Sequence, residues 1–182
     1  MTQIVGVHGS SWQIGLSNIG PKRLKKIIQY LSKRDKKVKS VQIQFSLLSP
    51  DFLKHTNVKK ICENNNIDFL AYSPLSFGIL CIDPEKDEDK QNSFLRSLIF
   101  KNYKKSTTEL RRCLKKIAVS RSVSQAQVAI NWCCYQGAIP LVGMRKKSQV
   151  IDIANVFKWN LNQKEFQMLQ QASTKCLKKM PS

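Results

Sequence analysis

The sequence predicts an α/β fold built on a parallel sheet, because short apolar runs alternate with helical patterns and one of those runs is apolar almost throughout. Gln13 to Ser17 reads as the first strand. Gly20-Pro21 follows, and a proline in the first turn of a helix loses no hydrogen bond, so a helix runs from there to about Arg34. Val41 to Ser46 gives a second strand and Thr56 to Asn64 a helix. The third strand, Ile67 to Tyr72, has the nearly unbroken apolar character of a parallel strand covered on both faces. Asp83 to Asn92 is polar, contains Pro84 and lacks periodicity, which predicts a loop. Two helices then begin with capping-box patterns, Ser106-Thr107-Thr108-Glu109 and Ser122-Val123-Ser124-Gln125, in which hydroxyl and later side chain each satisfy an orphan amide. Ala138 to Val142 is the last strand. Ser148 to Phe157 and Asn162 to Ala172 are the closing helices, the second with Asn162 as cap and Glu165 three residues on. This spacing fits about four βα units.

The 182 residues carry 31 Lys plus Arg against 12 Asp plus Glu, a net charge of +19, yet 42% are hydrophobic. Such a chain can bury a core, which argues against wholesale disorder. No run approaches the roughly 18 apolar residues of a membrane span, and Met1 to Trp12 lacks the basic and apolar regions of a signal peptide. A soluble, cytoplasmic protein without a membrane partner is the expectation. The cysteines (Cys62, Cys81, Cys113, Cys133, Cys134 and Cys176) form no CxxC pair and have no histidine at zinc-site spacing, so they read as reduced, mostly buried thiols. No metal site is expected. Between Lys22 and Lys39 stand nine cations against Asp35 alone. A run of that kind can track phosphates, but with Tyr30 as its one aromatic and no nucleic-acid motif it reads as a solvated face.

Parallel α/β units bind ligands beyond the carboxyl ends of their strands. Those ends carry Ser17-Asn18, then Gln42 and Gln44 opposite Val41, Ile43 and Phe45, then Tyr72-Ser73-Pro74-Leu75, and finally Gly143-Met144-Arg145-Lys146-Lys147 at a helix start. A buried unpaired amide costs about 1–3 kcal/mol, so the two glutamines need partners or a wet cavity. At the fourth end, backbone amides, a helix dipole and three cations together suit a phosphate. Amide-bonding groups, an aromatic face and an anion site form a dinucleotide constellation. Taken singly, each has a plain reading: a capping turn for Ser17-Asn18, a satisfied core amide for Gln42, packing for Tyr72, a solvated face for Arg145 to Lys147.

Five strings in order resemble the aldo-keto reductase family, with the flavour of its cyanobacterial and chloroplast branch. They are Gly15-Leu16-Ser17-Asn18-Ile19-Gly20, Val41-Gln42-Ile43-Gln44-Phe45-Ser46-Leu47-Leu48, Ala71-Tyr72-Ser73-Pro74-Leu75, Gln127-Val128-Ala129-Ile130-Asn131-Trp132-Cys133 and Ile139-Pro140-Leu141-Val142-Gly143. The match covers about residues 13 to 173, leaving 1–12 unassigned and 174–182 as a basic tail. It implies a partial (β/α)8 TIM barrel, its strands corresponding to the family's fifth to eighth. A complete barrel takes about 250 residues, so this chain would carry half of one. The resemblance further implies NADP(H), rather than NADH, and reversible hydride transfer to an aldehyde or ketone. Ser17, Asn18 and Gln42 would hold the nicotinamide carboxamide and Tyr72 would stack on the ring. Ser73, Leu75 and Gly78 would line the pyrophosphate path, and Gly143, Met144 and Arg145, with Gln149 and Asp152, would meet the adenosine end and its 2′-phosphate.

Carbonyl reduction also needs a proton donor, which in that family is a Tyr tuned by a Lys, an Asp and a His on earlier barrel segments. None of Asp35, Asp51, Asp68, Asp83, Asp87, Asp89 and Asp152 begins such a motif, and no catalytic residue is assigned. His8 precedes the first matching strand and lacks the family's sequence context; His55 stands before a helix. The cofactor half also departs from the family pattern: Gly78-Ile79-Leu80-Cys81-Ile82 lacks a basic residue, Val142 replaces a proline, and Ile153 stands where an Asn often meets adenine. A half-barrel leaves its first and last strands unpaired, so the expected partner is a second copy or a separately encoded amino-terminal half. With that half, the substrate would be a small carbonyl compound. The alternative is a noncatalytic remnant that binds nucleotide or protein, with nucleic acid as the least favoured partner.

Overall fold

A computed structural model describes residues 4–6, 13–48, 52–85 and 101–176. Five strands, β1 (Ile4–Gly6), β2 (Ile14–Ser17), β3 (Val38–Gln44), β4 (Asp68–Tyr72) and β5 (Ile139–Leu141), form one sheet in that order. The helices are α1 (Pro21–Ser32), α2 (Phe52–Asn64), α3 (Thr108–Arg121), α4 (Gln125–Tyr135), α5 (Lys147–Ala154) and α6 (Gln163–Lys175), with 3₁₀ turns at Ser76–Cys81 and Asn155–Lys158. From β2 to β5 all pairings are parallel. The α/β class and four parallel strands agree with the sequence reading. The strand bounds shift: β3 starts three residues earlier than expected and stops at Gln44, and α2 begins at Phe52.

One expectation is corrected at the first edge. β1, from the unassigned segment, lies antiparallel to β2 with Val5 opposite Gly15, so β2 is not left unpaired. Among the described residues the last strand, β5, pairs with β4 alone.

Side chains alternate across the sheet and set up two unlike faces. One carries Leu16, Val41, Ile43, Phe69 and Ala71, all at most 4% exposed beneath the helices. Aromatic rings carry this core outward: Phe45 packs edge-on against Phe69 and stacks on Trp132 of α4, whose ring faces Phe166 of α6. The other face bears the cross-strand rows Ser17, Gln42, Leu70, Ile139 and Gln44, Tyr72, Leu141. Exposure along this second face rises toward β5, reaching 48% at Ile139 and 39% at Leu141. A parallel sheet normally buries both faces; here one remains open.

The caps refine the expected helix starts. Asn162 and Glu165 form the predicted capping box, Asn162 Oδ1 accepting from the Glu165 amide and Glu165 Oε2 from the Asn162 amide, each at 2.9 Å. The other two boxes do not form. Thr107 rather than Ser106 precedes α3, and Glu109 instead pairs with Arg112. Ser124 caps α4 by accepting from the Gln127 amide, while Ser122 adopts φ 54° to end α3. The displacement has a local cause: two abutting helices need a left-handed residue between them, and Ser122 supplies it. The helix expected from Ser148 to Phe157 tightens to 3₁₀ geometry at Asn155. Cys62, Cys133 and Cys176 are buried, Cys113 and Cys134 half-buried and Cys81 exposed, so burial is less general than the composition suggested.

Candidate functional site

The carboxyl ends of β2, β3 and β4 bring the first group of candidates together. Ser17 closes β2 on the open face, directly beside Gln42. Asn18 turns the chain with φ 51°, and its backbone amide donates to the Gln42 carbonyl at 2.9 Å. The Tyr72 hydroxyl, two strands away, donates to Asn18 Oδ1 at 3.1 Å. That bond leaves the Asn18 amide nitrogen unclaimed among the described residues, and the half-buried Gln42 side chain has no partner there either. Gln44 is 7% exposed and has a partner within the protein. The two glutamines therefore differ: Gln42 is half-buried with no side-chain partner among the described residues, and Gln44 is buried and engaged.

After β4 the backbone enters an unusual stretch: Ser73, Ser76 and Phe77 have φ of 53°, 48° and 58°, followed by Gly78 at 95°. Non-glycine residues pay about 1–3 kcal/mol each for such conformations, which persist where the surroundings over-determine them. Here Ser46, just past β3, holds the turn through a 2.8 Å hydroxyl contact with Ser76, both residues being 1% exposed. Ser73, Leu75 and Gly78 line a cleft of about 640 Å³ whose far wall is Gly143, Met144, Arg145 and Gln149. An adjoining cavity of about 590 Å³ shares Leu75, Gly143 and Gln149 and extends to Lys115, Ser124, Asp152 and Ile153.

The wall after β5 differs from the expected phosphate cradle. Gln149 Oε1 accepts from the backbone amides of Arg145 and Lys146 at 2.8 and 3.1 Å, so those two donors are spoken for. What faces solvent is the side chains of Arg145, Lys146 and Lys147, none paired with a carboxylate among the described residues. Asp152 is also engaged: its carboxylate accepts from Ser124 Oγ and Gln127 Nε2, both at 2.6 Å. Gln127 in turn accepts from Trp159 Nε1 at 3.1 Å. Across the cavity, Lys115 bridges Asp83 and Glu85, and its hydrogen bonds to Glu85 and Asp83 raise its pKa. Among the described residues no cluster of His, Cys, Asp or Glu could hold a metal.

Gln127 and Asn131 escaped the sequence reading as candidates. They stand four apart on α4, at 4% and 2% exposure. Asn131 donates to the Val156 and Trp159 carbonyls and accepts from the Leu161 amide. The available signal was two carboxamides inside an otherwise apolar helix, since such groups are buried only when bonded. His8 lies outside the described residues, as do positions 86–92 of the expected loop and the Lys178-Lys179 tail. His55 falls within α2.

Carboxamides beside an aromatic ring thus stand one residue before a cleft that Arg145 borders, with Lys146 and Lys147 exposed next in the chain. Residues 7–174 match the sequence model of the Aldo/keto reductase family. Pyridoxal reductase, chloroplastic, from Arabidopsis thaliana is 35% identical over 167 residues, which are 92% of this chain and 45% of that protein. Rhazimal reductase 2 from Alstonia scholaris is 28% identical over 119 residues, 65% of this chain and 30% of that one. The chain thus spans less than half the length of these relatives. Among solved structures, the glycerol dehydrogenase of Gluconobacter oxydans superposes with a TM-score of 0.72 at 22% identity, over 92% of this chain and 50% of its own. The aldose reductase of Schistosoma japonicum gives 0.62 at 17%, over 92% and 42%. Among the described residues no helix is long and apolar enough to cross a membrane.

Proposed function

The chain belongs to the aldo/keto reductase family, and from that premise we propose that it is the cofactor-binding part of an NADP(H)-dependent oxidoreductase acting on aldehydes or ketones. The observation that carries this reading is the pair of amides on Asn18 and Gln42, unclaimed among the described residues, beside Ser17 and Tyr72, with the cleft walled by Ser73, Leu75 and Gly78 beginning at the residue after Tyr72. In this reading Ser17, Asn18 and Gln42 orient a carboxamide, and the Tyr72 ring supplies the stacking face. Ser73, Leu75 and Gly78 border the pyrophosphate. Gly143, Met144 and Arg145 face the adenosine end, where Arg145 to Lys147 offset the charge of a 2′-phosphate, with Gln149 and Asp152 bordering the same cavity. When bound, the reduced nicotinamide supplies a hydride to a carbonyl carbon. No proton donor is assigned to this chain, so turnover is proposed to require a polypeptide that carries the family's acid-base segments and packs on the open sheet face. Such a partner suits Ile139 and Leu141, which stand exposed on that face.

Titration of the purified chain with NADPH, followed by tryptophan quenching and thermal shift, tests the cofactor reading. Saturable binding, weakened by Gln42→Leu, supports it; no effect of NADPH on either signal sinks it. Aldehyde-dependent NADPH oxidation is expected only after a polypeptide bearing the catalytic segments is added. The second reading, a noncatalytic nucleotide-binding protein, predicts the same titration with no turnover in that mixture.

A further inference from the structure

Beside the cavity lined by Ser124 and Asp152, a closed hydrogen-bond network ties α4 to α5. Asp152 of α5 accepts from Ser124 Oγ and Gln127 Nε2, both at 2.6 Å. Ser124 Oγ also accepts the Gln127 amide as the helix cap, and Gln127 Oε1 accepts from Trp159 Nε1. Both polar atoms of the Gln127 side chain are thereby used, at 4% exposure. Turning the Asp152 carboxylate toward a ribose or an adenine would strand Gln127 Nε2 in the interior and break two short, charge-assisted bonds. Gln149 is committed in the same way, its Oε1 holding the Arg145 and Lys146 amides. An anion arriving there meets exposed lysine and arginine side chains but neither of those backbone amides. Ile153, beside Asp152 on the cavity wall, offers adenine no hydrogen bond. Three of the groups that border the adenosine half are thus committed to the protein or apolar. The nicotinamide half differs: among the described residues Gln42 and the Asn18 amide nitrogen are unclaimed.

We infer that Asp152 and Gln149 are positioning residues that fix α5 and its preceding loop, and that the affinity for cofactor resides in the nicotinamide half of the site. This rests on the cofactor reading above and adds where within the dinucleotide recognition lies. The adenosine 2′-phosphate half contributes little, because the cations that the described residues offer it, Arg145, Lys146 and Lys147, carry solvent-screened charge.

Calorimetric titration of the full chain with three probes decides it: reduced nicotinamide mononucleotide, NADPH and 2′,5′-ADP. The expected result is that the mononucleotide and NADPH bind within about tenfold of each other, and that 2′,5′-ADP does not compete with NADPH. NADPH binding more than about tenfold tighter than the mononucleotide, or competition by 2′,5′-ADP, overturns the inference and leaves the cofactor reading intact. Binding of neither nicotinamide probe overturns both. Asp152→Ala should lower the melting temperature, and Asp152→Asn, which keeps an acceptor for Gln127, should remain folded with NADPH affinity within about threefold of the parent. A folded Asp152→Asn chain that loses NADPH binding by more than that would make Asp152 a ligand-contacting residue and refute the positioning role.

Discussion

Glu165 shows how one side chain can serve two elements. It caps α6 through the Asn162 amide and grips Arg121 of α3 with both oxygens, at 2.8 and 2.9 Å. The Arg121 hydrogen bonds hold its carboxyl below the usual carboxylate range. A carboxyl more acidic in the folded than the unfolded state stabilises fully above the unfolded pKa, and that contribution is lost as pH falls through the depressed folded value. Glu165→Gln should cost about 1 kcal/mol near neutrality and remove part of the acid slope of stability, as read by urea unfolding at stepped pH. An unchanged acid limb would assign that slope to other carboxylates. The thiols divide just as sharply. Burial, reinforced by Glu63, pushes Cys62 up to about 12, and burial also raises Cys133. Iodoacetamide at mildly alkaline pH should therefore modify exposed Cys81 well before either, with peptide mass spectrometry as the readout; equal rates would contradict the burial.

At the scale of elements, α4 is the hub. Its apolar side packs Trp132 against Phe45 of the sheet side, while its carboxamides Gln127 and Asn131 bind the segment from Asp152 to Leu161. Asn131→Ala leaves the Leu161 amide and two carbonyls without their partner, and should destabilise by about 2–4 kcal/mol. Chemical denaturation measures this; a loss below about 1 kcal/mol would mean that water replaces the amide. The turn after β4 is the other element with a clear job. Its left-handed residues swing Ser73, Leu75 and Gly78 to one side of the cleft, and the Ser46–Ser76 contact keeps them there.

For the whole molecule, the asymmetry of the sheet decides what the chain can do. Helices cover one face and β1 covers one edge, while among the described residues the β5 edge has no further strand and the second face exposes Ile139 and Leu141. Ile139→Lys and Leu141→Lys should leave the melting temperature nearly unchanged while lowering concentration-dependent light scattering. A large drop in melting temperature would show that those side chains belong to the core of this chain. Much of the surplus positive charge sits on exposed α1 and the following loop, where Lys22 and Lys25 face Lys60 across a groove of about 450 Å³. None of the residues lining that groove lines the cleft.

The α/β class, the succession of four parallel strands along the chain and the positions at their carboxyl ends are written in local codes: period-two alternation, a Gly-Pro helix start and the Asn162–Glu165 box. Ser17, Gln42 and Tyr72 were legible for the same reason, since a strand end can be read from the strand. Which polar groups are engaged depends instead on packing between distant segments. Gln42 and Gln44 are equivalent in pattern, yet one is open and the other partnered; Asp152 and Gln149 look available in sequence, yet both are held, Asp152 by a residue 28 positions away. Hydrogen-bond saturation is a property of packed neighbours, and strand β1 closing an edge from the amino-terminal side likewise depends on a tertiary pairing that no local pattern encodes.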